Sequence, residues 1–206
     1  MNYIKDPSAI EAKSMAIIDG GLKNHSFNSE ELAVVKRMIH TSGDFDYQDI
    51  IAIKPGAVES GRKAVRNGCA IVTDTKMALA GINKRVLEQL NCSIDNFVDH
   101  EAVYRLAEKK GITRSMAAIE FAAEQKVDIF VIGNAPTALF RIKELIEEKR
   151  LDPKLVIAVP VGFVGAAESK EAIRELDIPS ISTVGKKGGS NIAAAVMNAI
   201  LYLETR

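Results

Sequence analysis

The stretch DIFVIG, residues 128–133, is followed by LVIAVPVG, residues 155–162, with the amphipathic segment TALFRIKELIEEKR, residues 137–150, between them. Both apolar runs are short and carry hydrophobic side chains at consecutive positions, so each would form a strand buried on both faces. An apolar strand, an amphipathic helix and a second apolar strand are typical of a parallel β-α-β unit with a right-handed crossover. This part of the chain therefore predicts an α/β fold.

The same alternation continues on both sides of this unit. Further apolar runs are IIAI (50–53), CAIVT (69–73), NFVD (96–99) and SISTVG (180–185). Helical segments such as VESGRKAVRN separate these runs. The pattern predicts a mostly parallel sheet with helices on both faces.

The first third of the chain is predicted to be helical. DPSAIEAKSMAIIDGG has an Asp-Pro-Ser start and ends at Gly20 and Gly21, which is the expected order of helix signals. NSEELAVVKRMIH begins at Asn28, and Glu31 stands three residues later, as in a capping box. The 206 residues contain no repeat or linker, so we expect a single domain over residues 1–206.

The composition disfavours several classes of partner. Lys and Arg number 27 and Asp and Glu number 27, so no basic excess indicates nucleic-acid binding. No apolar run approaches the roughly 20 residues of a membrane span and no signal core is evident, so we expect a cytoplasmic protein.

Cys69 lies in an apolar run and is expected to be buried, and neither it nor Cys92 has the spacing of a zinc site or a disulfide framework.

Polar and glycine-containing loops follow four of the predicted strands, with the sequences DTKMALAG (74–81), GNAPTAL (133–139), PVGFVGAAESK (160–170) and GKKGGSN (185–191). In such sheets ligands bind beyond the carboxyl ends of the strands. The loops would place free backbone N–H groups and positive helix ends at one rim, which would attract carboxylates or phosphates. For any single loop, the alternative is an ordinary strand-to-helix connection. P-loop, G-x-G-x-x-G, H-E-x-x-H and G-x-S-x-G patterns are absent, so no cofactor, metal site or serine nucleophile is predicted.

His40, in MIHTSGDFD (38–46), is the histidine whose setting suits chemistry. It falls in the last turn of its predicted helix, where the helix dipole favours a protonated imidazole, and Asp44 and Asp46 follow closely. Such an imidazole would donate a proton or a charged hydrogen bond near neutral pH. The alternative is a helix cap with no further role. His25 lies in a polar connector and His100 precedes a helix, so solvation and capping are expected for these two.

Seven segments of the chain, in order, resemble the precorrin-8X methylmutase family: YIKDPSAIEAKSMAII, RMIHTSGDFD, VTDTKMALAGI, GITRSMAAIE, IGNAPTAL, PVGFVGAAESK and GKKGGSN. The resemblance implies an isomerase of cobalamin biosynthesis that moves a methyl group from C-11 to C-12 of precorrin-8X or cobalt-precorrin-8. The product would be hydrogenobyrinate or its cobalt form. The resemblance also implies an α/β homodimer that needs no cofactor.

The resemblance assigns the catalytic role to His40, as a proton donor or hydrogen-bond partner of the macrocycle. The substrate carries several carboxylate arms, which require cationic and hydrogen-bonding partners. The candidate substrate-binding residues are Ser14, Thr41, Ser42, Thr75, Arg114, Asn134, Thr137, Lys186 and Lys187. The ALAG and FVG stretches would supply apolar walls for the ring. For Arg114 and the two lysines, the alternative is an exposed surface position. The alternative functions are a tetrapyrrole carrier without turnover and a nucleotide- or phosphate-binding enzyme.

Overall fold

The computed structural model describes residues 3–205, so residues 1, 2 and 206 of the predicted domain lie outside the described residues. Three helices open the chain: α1 (Pro7–Gly21), α2 (Ser29–Ser42) and α3 (Tyr47–Ile50). The Asn28 side chain accepts the N–H of Glu31, and the Glu31 carboxylate accepts the N–H of Asn28. These bonds satisfy N–H groups that the first turn of α2 would otherwise leave free. The predicted helical N-terminal segment and its capping box are confirmed.

Six strands form the sheet in the described part of the chain: β1 (Ile51–Ile53), β2 (Ala70–Thr73), β3 (Ser93–Asp95), β4 (Ile129–Ile132), β5 (Leu155–Ala158) and β6 (Ser180–Thr183). Their order across the sheet is β1-β6-β5-β4-β2-β3. β1 runs antiparallel to β6, and all other neighbouring pairs are parallel. The predicted α/β fold with a mostly parallel sheet is confirmed.

The prediction of a strand at residues 96–99 was wrong. NFVD, residues 96–99, is a loop, and the edge strand is the preceding Ser93–Asp95, which pairs with β2. The apolar side chain of Phe97 packs into the helical layer, with its ring 5.1 Å from that of Phe121. The run contains an apolar residue because Phe97 packs against helices, and not because the run belongs to the sheet.

Eight more helices complete the described chain: α4 (Ala57–Arg66), α5 (Lys76–Gly81), α6 (Lys84–Gln89), α7 (Glu101–Lys110), α8 (Arg114–Ala123), α9 (Pro136–Glu147), α10 (Ala166–Glu175) and α11 (Ser190–Leu203). Successive strand residues point to opposite faces of the sheet. In β4, Ile129 and Val131 contact the core formed with α2, α4, α6 and α11. Phe130 and Ile132 contact the core formed with α8, α9 and α10. Helices therefore cover both faces, as predicted.

Helix α11 occupies the centre of the first layer. Its residues from Ile192 to Val196 are all buried, and it packs against α2, α4, α5 and α6. Through this packing α11 holds α2 on the sheet. None of the helices in residues 3–205 has the length and apolar character needed to cross a membrane.

Candidate active site

The carboxyl ends of the parallel strands lie at one edge of the sheet, where the buried carboxylate of Asp74 connects two loops. Asp74 Oδ1 accepts the N–H of Gly133 at 2.9 Å, and Oδ2 accepts those of Asn134 and Ala135 at 2.8 and 2.7 Å. Burial raises the pKa of this carboxyl, and the three N–H donors oppose that effect. The loop after β4 is thereby fixed to the end of β2. Asp74 was not among the site residues predicted from the sequence, although an acidic residue directly after an apolar strand was an available signal.

Four predicted substrate-binding residues lie at this edge: Thr75, Asn134, Thr137 and Arg114. Thr75 Oγ1 lies 2.8 Å from Ser190 Oγ, so the end of β2 meets the N-terminus of α11. Thr137 Oγ1 accepts a hydrogen bond from Thr113 Oγ1 at 3.1 Å. The Asn134 side chain is exposed. The structure therefore brings these residues to one rim of polar groups.

Arg114 shares the carboxylate of Asp99 with Lys76. Its NH1 donates to Asp99 Oδ1 at 3.2 Å and to the hydroxyl of Tyr104 at 2.7 Å. Lys76 Nζ pairs with the other carboxylate oxygen and holds the pKa of Asp99 below its usual value. This cluster of two cations and one carboxylate carries a net positive charge, which suits an anionic ligand.

The loop after β6 carries the two candidate lysines. Lys187 Nζ lies 2.5 Å from Asp44 Oδ2 and 2.7 Å from Asp46 Oδ2. These hydrogen bonds raise the pKa of Lys187, and the lysine lowers the pKa of Asp44. The Lys186 ammonium instead lies 5.2 Å from the ring centroid of Phe163, and within residues 3–205 it pairs with no carboxylate. Lys186 is therefore the lysine open to an anionic group.

The loops after β5 and β6 form one surface. A Cβ atom on Gly188 would lie 2.1 Å from the carbonyl oxygen of Val159, so only glycine permits this close approach. The N–H of Gly162 donates to a carbonyl of the loop after β6 at 3.2 Å. At the tip of this surface, Phe163 and Val164 are 86% and 89% exposed. The FVG stretch thus presents apolar side chains at the rim.

His40 lies in the last turn of α2, which ends at Gly43 in the left-handed conformation. Its side chain is exposed and lines two clefts, of about 440 and 260 Å³. The first cleft is also lined by Pro7, Ile10, Glu11, Arg37 and Tyr202, and the second by Ser14, Ile17, Ile18, Ile39, Gly43 and Phe45. Within residues 3–205 the imidazole has no hydrogen-bond partner. Both ring nitrogens are therefore available to a ligand.

The other three predicted residues near this helix have different surroundings. Ser14 lines the smaller cleft with His40, and its Oγ donates to a carbonyl one turn earlier at 2.8 Å. Thr41 lines a different cleft, which runs along α11 from Asn191 to Tyr202. Ser42 Oγ accepts the N–H of Asp44 at 3.1 Å, so it stabilises the helix end. Ser14 is thus the candidate that shares a cavity with His40.

The two aspartates after His40 are not arranged as the sequence suggested. Both carboxylates bind Lys187, and neither hydrogen-bonds to the imidazole. Instead, Asp44 and Asp46 tie the chain segment after His40 to the loop after β6. That loop leads directly to Ser190, which meets Thr75 at the rim. Contacts therefore connect the end of α2 to the edge of the sheet.

The described residues contain no group of three or more His, Cys, Asp and Glu side chains that could hold a metal ion. Cys69 is buried, as predicted. Its Sγ lies 3.7 Å from Cys92 Sγ, a proximity that the sequence analysis did not anticipate. The Cys69 thiol donates to Cys92 and lowers the pKa of Cys92 to about 7.

A sequence profile described as Precorrin-8X methylmutase matches residues 9–203. Cobalt-precorrin-8 methylmutase of Salmonella typhimurium is 46% identical over 209 residues, covering 98% of each chain. Precorrin-8X methylmutase of Pseudomonas aeruginosa is 39% identical over 205 residues, covering 97% of each chain. The crystal structure of precorrin-8x methyl mutase from Thermus thermophilus aligns with a TM-score of 0.89 and 37% identity, over 96% of each chain.

Proposed function

The chain belongs to the precorrin-8X methylmutase family, and from that premise we propose that His40 acts directly on the macrocycle during the methyl migration. The chain is an intramolecular isomerase of cobalamin biosynthesis. The reaction of the family moves a methyl group from C-11 to C-12, so substrate and product are isomers. No atom enters or leaves, and the enzyme must chiefly orient the ring and stabilise its reacting form.

The proposed role of His40 rests on its exposed imidazole, which lies beside two clefts and hydrogen-bonds to none of the residues that the structure describes. A protonated His40 would donate a hydrogen bond to the ring nitrogen next to the migration site. This bond would hold the conjugated system in the tautomer that accepts the methyl group.

The carboxylate arms of the substrate would bind at the positive rim. Among the described residues Lys186 pairs with no carboxylate, and Arg114 and Lys76 share one. Cationic side chains in this state gain a charge-assisted hydrogen bond when a substrate carboxylate arrives. Thr75, Asn134 and Thr137 would add neutral hydrogen bonds from the same edge.

The flat faces of the macrocycle require apolar surface. Phe163 and Val164 supply exposed apolar groups after β5, and Met77, which is 69% exposed, supplies another after β2. Burying such groups against a ligand removes apolar area from water and stabilises the complex. This combination of apolar tips and flanking cations supports a ligand with a hydrophobic centre and an anionic periphery.

We also propose that residues 1–206 form one domain and act as a homodimer in the cytoplasm. One continuous sheet supports the single domain. On α1, Ile10 and Ile17 are 46% and 59% exposed next to the clefts of His40, an apolar surface that a second subunit would cover. Sedimentation of the purified chain should give twice its mass, and a monomer at micromolar concentration would disprove the dimer.

The central experiment follows the absorbance of the corrin precursor with purified protein. Both metal-free and cobalt-containing precursors are used, because relatives with both names match the chain. The expected result is a spectral change that progresses with time. His40→Gln should lower kcat by about 100-fold or more, the range of general acid catalysis, while pigment binding changes by less than about tenfold.

His25→Gln is the matched control, because this exposed histidine stacks on Phe27 before the start of α2 and lines neither cleft of His40. It should keep wild-type turnover. Full activity in His40→Gln would refute the catalytic assignment. A single spectral change on binding, without progress, would indicate a carrier. Stabilisation by a nucleotide but not by the pigment would indicate the nucleotide-binding alternative.

A further inference from the structure

Lys170 is a buried cation that the proposed mechanism does not use. Lys170 is 0% exposed, and its Nζ donates to Thr183 Oγ1 at 3.0 Å and to the carbonyl oxygen of Lys187 at 2.9 Å. Within residues 3–205 no carboxylate pairs with it. Burial lowers its pKa to about 8, and the nearby charge of Arg174 adds to this effect. A charge buried without a counter-ion is unfavourable, so packing alone does not account for a lysine here.

The contact of Lys170 is with the backbone of the loop after β6. The carbonyl oxygen of Lys187 also accepts the hydroxyl of Thr183 at 2.7 Å. Two donors therefore fix a single carbonyl group in this loop. The side chain of Lys187 binds Asp44 and Asp46, which lie four and six residues after His40.

Besides the bond of Lys170 to Thr183, other side chains attach α10 to the sheet. Arg174 NH1 donates to the carbonyl oxygen of Thr183 at 3.3 Å. Lys54 Nζ donates to the carbonyl oxygen of Leu176 at 2.6 Å, just after the end of α10. What Lys170 adds is the connection to the loop after β6.

We propose that Lys170 is a positioning residue for His40. It fixes the Lys187 carbonyl, and through the ion pairs of Lys187 it fixes the segment that ends α2. This inference rests on the proposed role of His40. Being buried, Lys170 itself contacts no ligand, and it acts only through the loop.

The test combines histidine NMR with kinetics. The chain has three histidines, so the imidazole signals are few, and the His40 signal is identified by its loss in His40→Gln. Lys170→Met should shift the ring signals of His40 and leave those of His25 and His100 in place. It should lower kcat by about tenfold or more, with KM rising less than about threefold, because a misplaced group at the chemical step affects the transition state.

Lys54→Met is the matched control, since Lys54 also donates to backbone carbonyls at α10 but does not contact the loop. It should leave both the His40 signals and kcat unchanged. Thr183→Val removes the second donor to Lys187 and should shift the His40 signals in the same direction. If Lys170→Met does not fold, Thr183→Val decides the question by the same two measurements. In a Lys187→Met background, adding Lys170→Met should produce little further change.

Unchanged His40 signals in folded Lys170→Met would overturn the proposal. An equal loss of kcat in Lys54→Met would also overturn it, because the effect would then reflect the general stability of α10. Fully additive effects of Lys170→Met and Lys187→Met would do the same. If His40→Gln keeps its turnover, the catalytic role of His40 fails, and the NMR shift alone then decides whether Lys170 positions the ring.

Discussion

Replacing Lys170 by methionine should stabilise the protein at neutral pH and destabilise it at alkaline pH. Lowering the pKa of the amine from 10.5 to about 8 corresponds to roughly 3 kcal/mol of unfavourable free energy at pH 7. Methionine removes this penalty and also two hydrogen bonds, each worth about 1 kcal/mol. Thr183 still donates to Lys187 in the variant. The net expectation is a gain of about 1 kcal/mol at pH 7.

The sign of the pH dependence follows from proton binding. Between about pH 8 and 10.5 the unfolded chain keeps the proton on this amine, while the folded protein has released it. The stability of the wild type therefore rises with pH through this window, relative to the variant. Lys187 keeps its charge through this window, because its hydrogen bonds to Asp44 and Asp46 raise its pKa. The two stability curves should cross near about pH 9.

The assay is urea unfolding of both proteins at pH 7 and at about pH 9.5, followed by circular dichroism. For a chain of this size, 1 kcal/mol corresponds to a shift of about 2–4 °C in Tm, so thermal melts give a second readout. Titrations of groups common to both proteins cancel in the difference. A variant that is less stable by the same amount at both pH values would refute the reasoning, because it would show that the buried amine carries no unfavourable charge.

Three further predictions concern other parts of the chain. Iodoacetamide at pH 7.5 should modify Cys92 well before Cys69, because Cys92 is partly exposed and its pKa is lowered to about 7. Peptide mass spectrometry measures the order of labelling, and faster labelling of Cys69 would contradict the prediction. Gly188→Ala should destabilise the protein by about 1–3 kcal/mol, because the added Cβ would clash with the backbone carbonyl of Val159. Gly20→Ala should not destabilise it, because no atom lies within 4 Å of the added Cβ. Equal melting temperatures of the two variants would contradict the clash at Gly188. Lys186→Met should raise KM and reduce the salt dependence of pigment binding, which absorbance titrations at two ionic strengths measure. An unchanged affinity would show that Lys186 is a surface lysine without a role in binding.

The fold could be predicted because most strands are apolar on both faces. The side chains of IFVI (129–132) alternate between two separate cores, so four consecutive apolar residues were a direct signal of a central strand. The edge strand Ser93–Asp95 has exposed residues at both ends and gave no such signal. The neighbouring Phe97 is apolar because it packs against helices, and periodicity does not distinguish these two causes.

The candidate site was predicted only in part, because its contacts join distant positions of the chain. Local motifs pointed to His40 and Arg114. The bond between Lys187 and Asp44 spans 143 residues, and that between Asp74 and Gly133 spans 59. A single sequence contains the charges but not their pairing. For that reason Asp44 was expected to act on His40, four residues earlier, whereas its partner is Lys187 from the loop after β6.

The position of α11 in the chain order has a consequence for synthesis of the protein. The apolar residues Val34, Val35 and Met38 of α2 are fully buried in the core that α11 completes. A ribosome makes α11 after every other element of the described fold, so this apolar face of α2 stays uncovered until α11 has been synthesised. Exposed apolar surface of this kind promotes aggregation of nascent chains and binding by chaperones. The helix that bears His40 is therefore expected to reach its final position only after α11 has been synthesised, and a nascent chain arrested before α11 should be insoluble and unable to bind pigment.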